Sequence, residues 1–222
     1  MCLLLLTPVS DARESPAQRA LLVLGDSISA AYGMDLQQGW VQLLADRLAA
    51  RSAPWAVVNA SISGDTTAGG LSRLPALLEK HRPRVVIIEL GGNDGLRGYP
   101  IDQLRSNLRN LIEQSQAAGA RVLILPMEIP PNLGPRYTTL FRESFHTVAG
   151  DTGARVGGFI LEGVATDVAP GDRVLCLSNG PYGDGFTDFV ESYGGESTLV
   201  DADYDDSLPL ADLERTLAGG EF

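Results

Sequence analysis

The 222 residues, 44% hydrophobic and 20% charged, suit one soluble α/β domain with a short appendage and can bury a substantial core. A formal net charge of −11 argues against nucleic-acid binding, which wants a basic face, and disfavours anionic membrane surfaces and stable membrane insertion. Two cysteines, Cys2 and Cys176, make no disulfide framework.

Residues 1–18 read as a leader. The apolar residues 2–6 are too few to span a bilayer and lack the basic start of a full signal peptide. A clipped export signal, and so a periplasmic or secreted protein, is the preferred reading, with cytoplasmic residence the alternative. Residues 19–166 then alternate two patterns. Residues 21–24, 55–58, 85–90 and 122–125 are short apolar runs followed by turns, as buried parallel strands are. Between them Trp40, Val41, Leu44 and Leu48, then Leu71, Leu74, Leu77 and Leu78, then Leu104, Leu108, Leu111 and Ile112 recur at helical spacing. A helix carrying His146 follows the fourth strand, and residues 154–160 read as a fifth strand interrupted by Gly157 and Gly158. This order predicts an α/β fold: a doubly wound parallel sheet with helices on both faces and ligands beyond the carboxyl ends of its strands.

Three of those strand ends carry small polar turns. Gly25-Asp26-Ser27 holds a serine hydroxyl at its tip. A hydroxyl is a weak nucleophile at neutral pH, so acyl transfer needs a base for its proton and donors for the oxyanion that forms. Ser61-Ile62-Ser63-Gly64-Asp65-Thr66 and Gly91-Gly92-Asn93-Asp94 follow the second and third strands. There a glycine N–H and the Asn93 carboxamide are candidate donors. Each motif alone is a weak signal; their order and placement carry the inference.

Together they resemble the SGNH hydrolases, or GDSL-type esterases, over residues 19–164. Residues 22–33, 58–66 and 88–98 are similar to the bacterial acyl-CoA thioesterase I, arylesterase and lysophospholipase branch. The resemblance implies an SGNH-type, flavodoxin-like sheet, a small acyl ester or thioester substrate, no cofactor and no metal. It makes Ser27 the nucleophile, with its own N–H, the Gly64 N–H and the Asn93 amide as the oxyanion hole, and Asp26 beside the substrate. The loop Glu128-Ile129-Pro130-Pro131-Asn132-Leu133-Gly134-Pro135-Arg136-Tyr137 resembles the family's substrate-contacting loop, so Ile129, Leu133 and Tyr137 are expected to line an acyl groove. An ordinary Pro-rich connector is the alternative.

The fourth block departs from the family. Its members carry Asp-x-x-His near the C-terminus; this chain has no such motif, and its two histidines, His81 and His146, read as solvated helix residues. The general base is therefore unknown. Loss of a base costs about four to six powers of ten in turnover, so a catalytically dead SGNH scaffold that only binds acyl ligands is the rival reading. Residues 167–222 read instead as a foreign appendage, of which residues 169–222 resemble a fragment of a class V aminotransferase, an enzyme class that uses pyridoxal phosphate. No such activity is expected, because the one lysine of the chain, Lys80, is not in that segment. A small β-α-β-α appendage is predicted there, with strands at 173–177 and 197–200. One helical stripe is Phe186, Phe189, Val190 and Tyr193; the other is Leu210, Leu213 and Leu217. The acidic residues 201–206 read as a solvated surface, with a calcium site as the lesser alternative.

Overall fold

The computed structural model describes residues 19–130, 133–162, 171, 173–178, 190–191 and 195–201. Five strands, β1 (Arg19–Gly25), β2 (Trp55–Asn59), β3 (Val85–Glu89), β4 (Arg121–Ile124) and β5 (Arg155–Val156), form one sheet in the order β2-β1-β3-β4-β5. Every pairing in it is parallel. The order reverses direction between β1 and β3, and ligands of such sheets bind outside the carboxyl ends of the strands at that switch point.

The helices are α1 (Trp40–Ala50), α2 (Thr67–His81), α3 (Gly92–Leu96), α4 (Ile101–Ala117) and α5 (Pro135–Thr152). Successive strand residues face opposite ways, so β1 sends Leu22 and Leu24 to one face and Leu21 and Val23 to the other. The first face carries the main core, closed by α2, α4 and α5 through Leu74, Leu104, Leu108, Leu111, Phe141 and Phe145. Phe141 and Phe145 meet edge to face, with centroids 5.4 Å apart at 78°. The second face is smaller and packs on α1 through Val41, Trp40, Leu44 and Leu48. Burial on both faces is why the strands read as unbroken apolar runs.

Helix ends follow local chemistry. Thr66 Oγ1 accepts the Gly69 N–H at 3.2 Å to open α2, Arg82 in the left-handed region closes it, and Pro135 opens α5.

The fifth strand is shorter than residues 154–160. Only Arg155 and Val156 pair along β4, and the Gly157 N–H adds a last bond to Ile124 O at 2.8 Å before the chain turns away. Beyond it, β6 (Arg173–Ser178) and β7 (Glu196–Asp201) pair in parallel as a separate two-stranded sheet, matching the two strands expected there. Val190, which ends the first expected helical stripe's described part, is helical and buried. The leader, Phe186, Phe189, Tyr193 and the stripe Leu210, Leu213 and Leu217 lie outside the described residues. Among the described residues no helix is long and apolar enough to cross a membrane.

Candidate active site

At the carboxyl end of β1 the chain enters a tight turn in which Asp26 O accepts the Ala30 N–H at 2.9 Å and Ser27 O the Tyr32 N–H at 3.0 Å. Asp26 is buried, and its Oδ1 accepts the Ile28 N–H at 3.1 Å, an Asx turn that spans Ser27. Ser27 is half-buried at the tip. Gly25 makes the turn possible by close approach: a Cβ there would lie 2.6 Å from Ser29 Oγ and 2.7 Å from Glu89 Oε2.

The turn after β2 lies along the same rim, because Ala60 N–H bonds Val23 O at 2.9 Å and Ile62 N–H bonds Gly25 O at 3.1 Å. Gly64 is exposed at φ +76°, with no atom within 4 Å of its would-be Cβ. Its backbone conformation, rather than crowding, demands glycine. Asp65 holds the loop by pairing with Arg73, at 2.8 Å from Nε and 2.7 Å from the nearer terminal nitrogen.

After β3, α3 buries Asn93 and Asp94. Asn93 Nδ2 donates to Asp26 Oδ2 at 3.2 Å, so the carboxamide is fixed one residue from Ser27. Asp94 accepts the Thr67 N–H at 2.8 Å and the Thr67 hydroxyl at 2.5 Å, and Asn107 Nδ2 donates to that hydroxyl at 3.0 Å. Arg97 reaches both Gly64 O and Asn93 O at 3.4 Å. The three turns carrying Ser27, Gly64 and Asn93 are thus cross-tied at one rim of the sheet.

Three buried carboxyls share this rim. Burial, with the charges of Asp65 and Asp94, pushes Asp26 up to about 6 against the Ile28 N–H and the Asn93 amide. Burial and the Asp26 charge push Glu89 up to about 8 against its Ser29 and Asp26 donors. Asp94 is raised by burial too, opposed by the Thr67 donors and Arg97. Among the described residues no group of His, Cys, Asp and Glu could hold a metal ion.

The loop residues separate. Ile129 is buried in the core, its Cγ2 2.8 Å from where a Cβ on Gly95 would sit, and so packs under α3 rather than facing a groove. Leu133 is exposed beside Gly98. Tyr137 is half-buried and donates its hydroxyl to Tyr99 O at 2.7 Å. Leu96 and Tyr99 are exposed with Leu133 and add apolar surface next to the Asn93 turn.

Neither histidine reaches the rim. His81 ends α2, just ahead of β3, at the opposite, amino edge of the sheet. His146 is exposed on α5, whose Phe141, Phe145, Val148 and Ala149 face the core. It lies eleven residues beyond Pro135, about 16 Å along the helix axis. Glu89, Asp94, Thr67 and Arg97 are the residues that sequence reasoning passed over. An acid ending the apolar run of residues 85–90 was the visible signal for the first of them.

Comparison with known proteins places the fold in a family. The profile of the GDSL-like Lipase/Acylhydrolase family matches residues 23–172. Esterase TesA of Pseudomonas aeruginosa is 53% identical over 151 residues, covering 68% of this chain and 75% of the relative. Thioesterase 1/protease 1/lysophospholipase L1 of Escherichia coli K12 is 43% identical over 148 residues, covering 67% and 70%. The crystal structure of AlinE4, an SGNH-hydrolase family esterase, superposes with a TM-score of 0.64 at 34% identity, covering 79% of this chain and 92% of that one. The fold is that of an SGNH-type α/β hydrolase. The chain belongs to the GDSL-like lipase/acylhydrolase family.

Proposed function

We propose that the chain hydrolyses small acyl esters or thioesters through a Ser27 acyl-enzyme, with the Gly64 N–H and the Asn93 amide holding the oxyanion. The observation that carries this reading is the 3.2 Å bond from Asn93 to Asp26, which sets a carboxamide next to the serine turn across the β1/β3 switch point. Ser27 Oγ attacks the acyl carbon as its proton passes to solvent water, and the negative charge that develops on the carbonyl oxygen is held by the Gly64 N–H and the Asn93 amide. The C–O or C–S bond then breaks, and water releases the acid. Leu133 and Tyr137 are the substrate-facing residues of this reading, and Asp26 lies buried behind the serine turn.

Two observations shape its chemistry. The sequence has no Asp-x-x-His, and both histidines lie away from the rim. Without an imidazole to protonate the leaving group, substrates whose leaving group departs as a stable anion are favoured. A thiolate, with a pKa of about 8.5 for a cysteine-like thiol, leaves far more readily than an alkoxide. Thioesters and aryl esters are therefore the expected substrates. The same observations favour a second reading, a scaffold that binds acyl ligands without turning them over.

Hydrolysis of p-nitrophenyl butyrate tests the pair. Turnover abolished by Ser27→Ala and kept by His146→Ala supports the hydrolase. Turnover equal in the wild type and Ser27→Ala supports the binding scaffold.

We assign residues 19–166 to the hydrolase domain and 167–222 to an appendage; the family match covers residues 23–172. The apolar residues 2–6 favour export to the periplasm or beyond, with cytoplasmic residence the alternative.

A further inference from the structure

We propose that Glu89 is the positioning residue of this site: a buried acid at the end of β3 that holds the Asp26-Ser27 turn through the Asp26 N–H and the Ser29 hydroxyl. Its side chain is fully buried (0% exposed), at a place in an apolar run where an isoleucine would cost nothing in desolvation. Ser29 donates its hydroxyl to Glu89 Oε2 at 2.5 Å, and the Asp26 N–H points to the same oxygen at 3.4 Å. Ser29 also receives the Trp40 indole N–H at 3.2 Å, and its carbonyl accepts Asn59 Nδ2 at 2.8 Å. Groups from β3, the serine turn, α1 and β2 thus converge on one pair, and Gly25 leaves only that pair room.

The other carboxyl oxygen, Oε1, is buried without a hydrogen-bond partner. Among the described residues no salt bridge reaches Glu89. The charge that acts on it is the Asp26 carboxylate, itself facing Asp65 and Asp94, and the cations Arg73 and Arg97 answer those outer acids instead. A lone acid with one bare oxygen in such surroundings rests as the neutral form. Neutral, it accepts both donors without repelling Asp26. Ionised, it sets a second negative charge against Asp26 and loosens the turn that presents Ser27. Holding Ser27 is a separate task from attacking or stabilising the acyl group, and Glu89 touches no substrate.

Trp40 reports on the pair directly, since one hydroxyl separates its indole from Glu89. In a Trp55→Phe background Trp40 is the single indole of the chain. Its emission should step as pH passes about 8. Glu89→Gln keeps an oxygen for both donors and removes the titration, so the step should vanish; Ser29→Ala, which cuts the link, should flatten it. A step of equal size in Glu89→Gln, or no step in the parent, overturns the proposal.

A second arm rests on the Ser27 reading above: labelling by a fluorophosphonate. Glu89→Leu should slow Ser27 labelling about 10²-fold, the scale of a small misplacement of reacting groups, and Glu89→Gln should recover most of it. Equal rates in Glu89→Leu and the wild type overturn the positioning role. If the wild type labels no faster than Ser27→Ala, the hydrolase reading fails, and the Trp40 titration still decides for or against Glu89.

Discussion

Asn93 Nδ2 sits 3.2 Å from Asp26 Oδ2, joining the turn after β3 to the turn after β1 across the point where the sheet reverses its winding. Both partners are buried. The bond ties the turn carrying the proposed nucleophile to the proposed oxyanion donor before any substrate arrives. Removing such a donor costs about 10²–10³ in turnover. Asn93→Ala should therefore reduce kcat on p-nitrophenyl butyrate by about that factor with KM nearly unchanged, read from steady-state kinetics.

Gly25 and Gly64 are glycines for different reasons, and alanine should separate them. At Gly25 a methyl group would meet Ser29 Oγ at 2.6 Å and Glu89 Oε2 at 2.7 Å, two side-chain ends that are buried and hydrogen-bonded to each other. Overpacking there should cost about 1–3 kcal/mol or more. At Gly64 space is open and only the φ of +76° is strained, costing about 1–2 kcal/mol. Thermal melts should show the larger loss for Gly25→Ala.

Thr67 bridges Asp94 and Asn107 in a fully buried position. Thr67→Val keeps the shape and strips the hydroxyl, leaving Asp94 Oδ1 and Asn107 Nδ2 each short of a partner. The expected cost is about 1–3 kcal/mol, measured by urea denaturation. Because α2 starts at Thr67, directly after the Gly64 turn, the same variant should also lower the rate of ester hydrolysis.

The buried acids set the sign of the pH dependence. Glu89 rises from 4.5 when unfolded to about 8 when folded, and Asp26 from 3.8 to about 6. The native state then holds more protons than the unfolded chain between those limits, so stability falls as pH rises. The contribution is full below about 4 and gone once pH passes about 8. Melting temperature should decline across that window, and Glu89→Gln should decline less steeply at its upper end.

Most of the sheet was legible because β1 and β3 are buried on two faces and β2 and β4 pack buried or partly buried apolar residues on both, so that all four show as apolar runs, while α1, α2 and α4 bury one stripe each. The site turns were legible as small polar motifs ending those runs. What was hidden depends on tertiary contact. Strand β5 is only Arg155 and Val156, since its pairing along β4 ends with the Gly157 N–H on Ile124 O, and no local pattern marks where an edge strand stops. Helix α3 holds two glycines at Gly92 and Gly95 and forms because Gly95 packs against Phe141 and Ile129. The same packing takes Ile129 out of the groove, since a loop lacks the periodicity that tells an inner side chain from an outer one. Glu89 and Ser29 are sixty positions apart, and no local pattern reports that they meet.

Phosphonylation of the intact chain by a fluorophosphonate, with the modified peptide located by mass spectrometry, is the most direct test that this rim presents an activated serine. The account predicts one modified residue, Ser27, and loss of the adduct in Ser27→Ala. Modification no faster than in Ser27→Ala, or an adduct on another residue, would contradict it.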